Sequence, residues 1–78
     1  MSDRVLPIVV IYRNPLDYPL KFVVRRQWAC QGGAVEIESQ PLAVVDTIDE
    51  ARAAVPSESD TRMDRDPADD PTIFEVWL

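Results

Sequence analysis

With 78 residues, a net charge of −6 and no histidine, the chain has room for one hydrophobic core. It lacks the usual general acid-base residue and commonest metal ligand. Its single cysteine, Cys30, rules out an internal disulfide, and the interrupted apolar run from Val5 to Ile11 is too short for a membrane span and a poor signal-peptide core. A cytoplasmic protein without export is the expectation.

Val5 to Arg13 reads as a strand. Both alternating sets, Ile8/Val10/Tyr12 and Val9/Ile11, are apolar, which argues for a central position in a sheet. Asn14-Pro15-Leu16-Asp17-Tyr18-Pro19 then breaks the pattern with two prolines and two turn formers, predicting a rigid surface loop. Lys21 to Trp28 resumes strand composition, with Phe22, Val24 and Trp28 on one face. Arg26 falls on that same apolar face, which calls either for a bulge or for a rim position with its head in water. Gln31-Gly32-Gly33 marks a turn, after which Ala34 to Ser39 returns as a short strand.

Leu42 to Val45 is apolar and runs into a helix start at Thr47. Thr47 and Glu50 have capping-box spacing, Asp49 and Glu50 favour the positive helix end, and Ile48, Ala51, Ala54 and Val55 form the apolar stripe up to Pro56. A helix over Thr47 to Val55 is predicted. Ser57 to Pro71 holds Glu58, Asp60, Asp64, Asp66, Asp69 and Asp70 with little that is apolar, and reads as a long acidic loop. Thr72 to Leu78 alternates Phe74/Val76/Leu78 against Ile73/Glu75/Trp77 and reads as a terminal strand. The expected fold is therefore α+β, one domain over 1–78: an antiparallel sheet of three to four strands in the order β-β-(β)-α-β, with one helix on one face. Val10, Phe22, Val24, Ile48, Val55, Phe74 and Val76 are the expected core.

The search for chemistry returns little. Cys30 has no histidine to activate it and reads as a small hydrophobe. Asp64-Arg65-Asp66 with Asp69-Asp70 lacks the turn glycine of a calcium loop and carries a cation inside it, so no metal site and no cofactor are expected. Gly32-Gly33 is followed by no helix start and no lysine, unlike a phosphate-binding loop. Catalytic residues are expected to be absent, and the chain is read as non-enzymatic.

Charge is unevenly distributed along the chain. Residues 1–33 carry five basic side chains against two acids, and residues 34–78 carry twelve acids against three arginines, so a basic and an acidic side are expected. The acidic residues Glu36, Glu38, Glu58, Asp60, Asp64, Asp66, Asp69 and Asp70 are the candidate partner-binding set. Arg13, Lys21, Arg25 and Arg26, with Trp28, form the alternative: a basic strand face for a protein partner or a nucleic-acid strand. The negative net charge opposes direct nucleic-acid binding. A homodimer is expected, held through a sheet edge or the aromatic surface around Trp28 and Trp77.

Tyr12-Arg13-Asn14-Pro15, Asp17-Tyr18-Pro19, Lys21-Phe22-Val23-Val24-Arg25-Arg26, Asp46-Thr47-Ile48-Asp49-Glu50-Ala51-Arg52 and the ending Asp69-Asp70-Pro71-Thr72-Ile73-Phe74-Glu75-Val76-Trp77 resemble small proteins of phage, prophage and proteobacterial genomes. The resemblance spans most of the chain apart from Gln27 to Gln40 and implies a setting rather than an activity. Small acidic proteins from that setting often bind a host machine, as anti-CRISPR proteins do, sometimes presenting carboxylates where the machine expects DNA phosphates. An inhibitor acting on a host protein complex is the corresponding expectation.

Overall fold

The structure, a computed structural model, describes residues 4–63 and 71–78. Its frame is a long hairpin of β1 (Arg4–Arg13) and β2 (Phe22–Cys30), paired without interruption from Leu6↔Ala29 to Arg13↔Phe22. The β-branched and aromatic residues that fill both strands suit the pleated ladder. The connecting loop is closed by its own polar groups: Asn14 N–H donates to the Lys21 carbonyl at 2.8 Å, and the Asn14 side-chain oxygen accepts from Leu20 N–H at 2.8 Å. Asn14 and Leu20 both take positive φ, 53° and 66°, a conformation Asn tolerates well and Leu does not.

After a 3-10 turn at Gln31–Gly33, β3 (Val35–Ile37) pairs with the distal half of β2, and β4 (Ala43–Val45) pairs with its proximal half. Helix α1 (Ile48–Ala53) follows, then β5 (Arg62–Met63) and β6 (Ile73–Trp77). All pairings are antiparallel, in the order β3-β2-β1-β6-β5 with β4 beside β2. The α+β class holds, but the sheet has six strands where three to four are expected. β3 is the short strand expected within Ala34 to Ser39, whereas β4 and β5 are three and two residues long, too short to produce an alternation that sequence can register. Helix α1 is also shorter than Thr47 to Val55. Thr47 is its cap, accepting from Glu50 N–H at 3.2 Å, yet the Glu50 carboxylate accepts from the Thr47 hydroxyl rather than completing the reciprocal half of a capping box.

α1 lies on one face of the sheet, where Val9, Ile11, Val24 and Ala51 are fully buried and Phe22, Leu42, Ile48, Val55, Phe74 and Trp77 pack around them. Of the expected core, Phe22, Val24, Ile48, Val55 and Phe74 belong to this cluster. Val10 is buried at 3% exposure but on the opposite face, since it pairs with Arg25 and Val76, and Val76 shares that face. Phe74 and Glu75 are both drawn to the helix side, contrary to simple alternation. The register shifts between Ile11↔Glu75 and Tyr12↔Ile73, and a bulge of this kind sets two successive residues against one. Phe74 thereby meets Phe22 edge-on at 5.7 Å.

Ile11→Ala should lower unfolding free energy by about 3 kcal/mol, because the side chain is completely enclosed and leaves a cavity. Leu20→Ala, at an 86% exposed position, should change it by less than about 0.5 kcal/mol. Urea unfolding of both variants checks the pair.

Candidate functional site

The helix-facing row of β2 runs Phe22, Val24, Arg26, Trp28, so the sheet face changes from apolar to charged along one strand. Arg26 needs no bulge of its own; the register around it is continuous. Its charge is met by Glu38, which the bond from Glu38 N–H to the Arg26 carbonyl at 3.1 Å sets alongside. Arg26 Nε donates to Glu38 Oε2 and Arg26 Nη2 to Oε1, a bidentate fork. Trp28 Nε1 donates to the same carboxylate at 2.8 Å. The guanidinium groups of Arg4 and Arg26 lie 5.0 and 5.5 Å from the Trp28 ring, within cation–π range, and Arg4 pairs with Glu36 at 2.5 Å. The hydrogen bonds from Arg26 and then Trp28 hold the Glu38 carboxyl below its ordinary range, outweighing burial.

A second network lies nearer the helix. Glu75 on β6 is 6% exposed and accepts from Arg52 of α1 at 3.1, 3.2 and 2.5 Å and from Trp77 Nε1 at 3.3 Å. Arg62 stands 3.6 Å away. The Arg52 hydrogen bond lowers the Glu75 pKa against the opposing effect of burial, with Trp77 assisting. Both carboxylates are held ionised and saturated with donors, which fits them to pin strands and helix together rather than to shuttle protons. Among the described residues, neither sits beside a nucleophile with a base in reach.

The proposed partner-binding acids are scattered by the fold. Glu36 and Glu38 are drawn into the ion pairs just described, and Glu58 approaches Arg26 at 3.9 Å while remaining largely exposed. Asp60 is exposed and bonded only to neighbouring Thr61. Asp64, Asp66, Asp69 and Asp70 lie outside the described residues. The alternative basic set does not form one face: Arg25 and Arg26 project to opposite sides of β2. Arg25 pairs with Asp17 at 2.9 Å and Lys21 pairs with Asp46, whereas Arg13 is exposed. Cys30 is half-buried, its thiol donating to the Trp28 carbonyl at 3.6 Å. Trp28 and Trp77 are partly buried on the helix side; the exposed apolar residues Val35, Ile37, Val44 and Met63 lie elsewhere.

Arg4, Arg52 and Glu75 are functional-group positions that the sequence reading passes over. Two signals do mark the last pair: Glu75 interrupts an apolar strand, and Arg52 stands four residues after Ile48, on the edge of the helix's apolar stripe. No protein-family model, curated protein or solved structure matches the chain. Among the described residues, no helix is long and apolar enough to cross a membrane.

Glu75→Gln should reduce stability at pH 7 by about 2 kcal/mol through loss of charge-assisted bonds. A carboxyl with a lowered folded pKa stabilises fully above its unfolded value, about 4.3, and that stabilisation is lost as pH falls through the folded value. The acid limb of the wild-type stability profile should therefore be steeper than that of Glu75→Gln, as thermal melts between pH 7 and pH 2 would record. Ser59 offers a contrasting test. Its hydroxyl is buried without a hydrogen-bond partner among the described residues, so Ser59→Ala should leave the melting temperature unchanged or raise it.

Proposed function

We propose that the chain is a small non-enzymatic protein-binding module that engages cationic groups of a host protein complex through carboxylates on its helix-side flank, and that it acts there as an inhibitor. The observation that carries this reading is the allocation of charge. Among the described residues, Arg4, Lys21, Arg25, Arg26, Arg52 and Arg62 are each committed to a carboxylate, while Asp49, Glu50 and Asp60 make no ion pair. The unbalanced negative charge is therefore left on α1 and the segment after it. A field of that sign steers and selects cationic partners.

The resemblance to small phage and prophage proteins supports the finer reading, an inhibitor of a host defence complex of the anti-CRISPR type whose carboxylates occupy sites meant for DNA phosphates. Asp64, Asp66, Asp69 and Asp70 continue the acidic sequence beyond Asp60. Direct nucleic-acid binding gains no support from the geometry, because Lys21, Arg25 and Arg26 are each paired with a carboxylate and Arg25 and Arg26 lie on opposite faces of β2.

The test is capture from a proteobacterial lysate on immobilised wild-type protein and on an Asp49→Lys/Asp60→Lys variant, with folding of both checked by circular dichroism. A partner retained by the wild type, released as salt rises from about 0.1 M to about 1 M and absent from the variant, is the expected result. Equal retention by both proteins, or tight binding of the wild type to duplex DNA at physiological salt, overturns the acidic reading.

A further inference from the structure

Strand β1 is apolar on both faces, and α1 covers one. On the other face, Val10 and Val23 are buried at the centre, but around them Ile37 is 61% exposed, Val35 60%, Met63 47%, Leu6 44% and Val44 37%. Their cross-strand partners place all five on this side: Leu6 and Val35 oppose Ala29, Ile37 opposes Gln27, Val44 opposes Val23, and Met63 opposes Val76. Strands β1, β3, β4 and β5 thus contribute exposed side chains to one open apolar surface. Contiguous exposed apolar area on this scale marks an interaction site.

The charges of the molecule are placed elsewhere. The ion networks of Glu38 and Glu75 are on the helix side, and the charge on the open face is Arg25, neutralised by Asp17 of the overhanging loop. An apolar surface whose strand charge, Arg25, is neutralised by Asp17 is not selective for the cationic partner of the acidic flank. It does allow two copies, each at −6, to approach with the carboxylates of the helix side directed away from the contact.

Shape points to the same occupant. The loop that crosses the rim of this face encloses a groove of about 440 Å³ lined by Tyr12, Pro15, Leu16, Asp17, Arg25 and Ile37. Leu16 itself is fully exposed at the groove edge. One surface therefore carries both a projecting apolar side chain and an apolar recess, and a two-fold contact brings the knob of each copy to the hole of the other. At about 4.8 Å per strand and 3.3 Å per residue, the face presents roughly 500 Å². Two such faces together would bury on the order of 1,000 Å², the low end of specific interfaces.

We propose that a second copy of this chain packs on the open sheet face about a two-fold axis, with Leu16 of each copy seated in the groove of the other, giving two sheets stacked about 10 Å apart. The interface is neither a strand edge nor the tryptophan surface. It is separate from the acidic flank and does not depend on the partner-binding reading.

Sedimentation equilibrium at micromolar to about 100 µM protein, with reductant, tests it on the full chain. The wild type should be a dimer, and Leu16→Asp and Ile37→Lys should each weaken association at least tenfold while leaving the circular dichroism spectrum intact, since both side chains are exposed. Cys30→Ser should remain dimeric. A monomeric wild type over this range, a dimer indifferent to Leu16→Asp, or a dimer lost only on Cys30→Ser would each overturn the proposal.

Discussion

A central strand with two apolar faces needs cover on both, and in this chain a helix of six residues covers one. That constraint organises the rest. The helix side becomes the core because Val9, Ile11 and Val24 are sealed there against Ala51. The hairpin partner β2 must then be apolar beneath the helix, and it turns to Arg26 and Trp28 where the helix ends. Burial of a few β-branched side chains is a small core by any measure, and a domain of this size has little margin.

The two ion networks follow from the same shortage. A short helix leaves charged positions close to the sheet, and charge near a core must be paired and hydrogen-bonded to be tolerated. Glu75 and Glu38 are each held by arginine and by an indole N–H. These contacts tie α1 to β6 and β2 to the segment after β3 at places where apolar contact alone would be thin. They also occupy Arg4, Arg26, Arg52 and Arg62, so that among the described residues a negative surplus is left on the surface between α1 and β5.

The proposed function rests on surfaces rather than on a cavity. The acidic flank and the open apolar face have different chemistry and different locations, and the sheet separates them. An arrangement of that kind suits a protein that pairs with itself on one side and with a charged partner on another. Two copies would present the acidic flank twice, and a bivalent contact strengthens attachment without any new interaction at either site.

The sequence by itself determined the central hairpin, its rigid loop, the cap at Thr47, the terminal strand and the α+β class, because each has a local cause: alternation, proline, a side-chain cap. It also revealed that both faces of β1 were apolar. Only the tertiary structure decided what those faces meet. The bulge beside Phe74 rotates Phe74 and Glu75 toward the helix, a choice set by pairing with β1 and invisible to alternation in β6 alone. Strands β4 and β5 exist because neighbouring backbone offers them hydrogen bonds, and two or three residues contain no periodicity to announce that. Pairing also turned Glu36, Glu38 and Arg26 from candidate contact residues into mutual partners. Charge can be counted along a chain, but whether a carboxylate is free or taken depends on which arginine the fold places beside it.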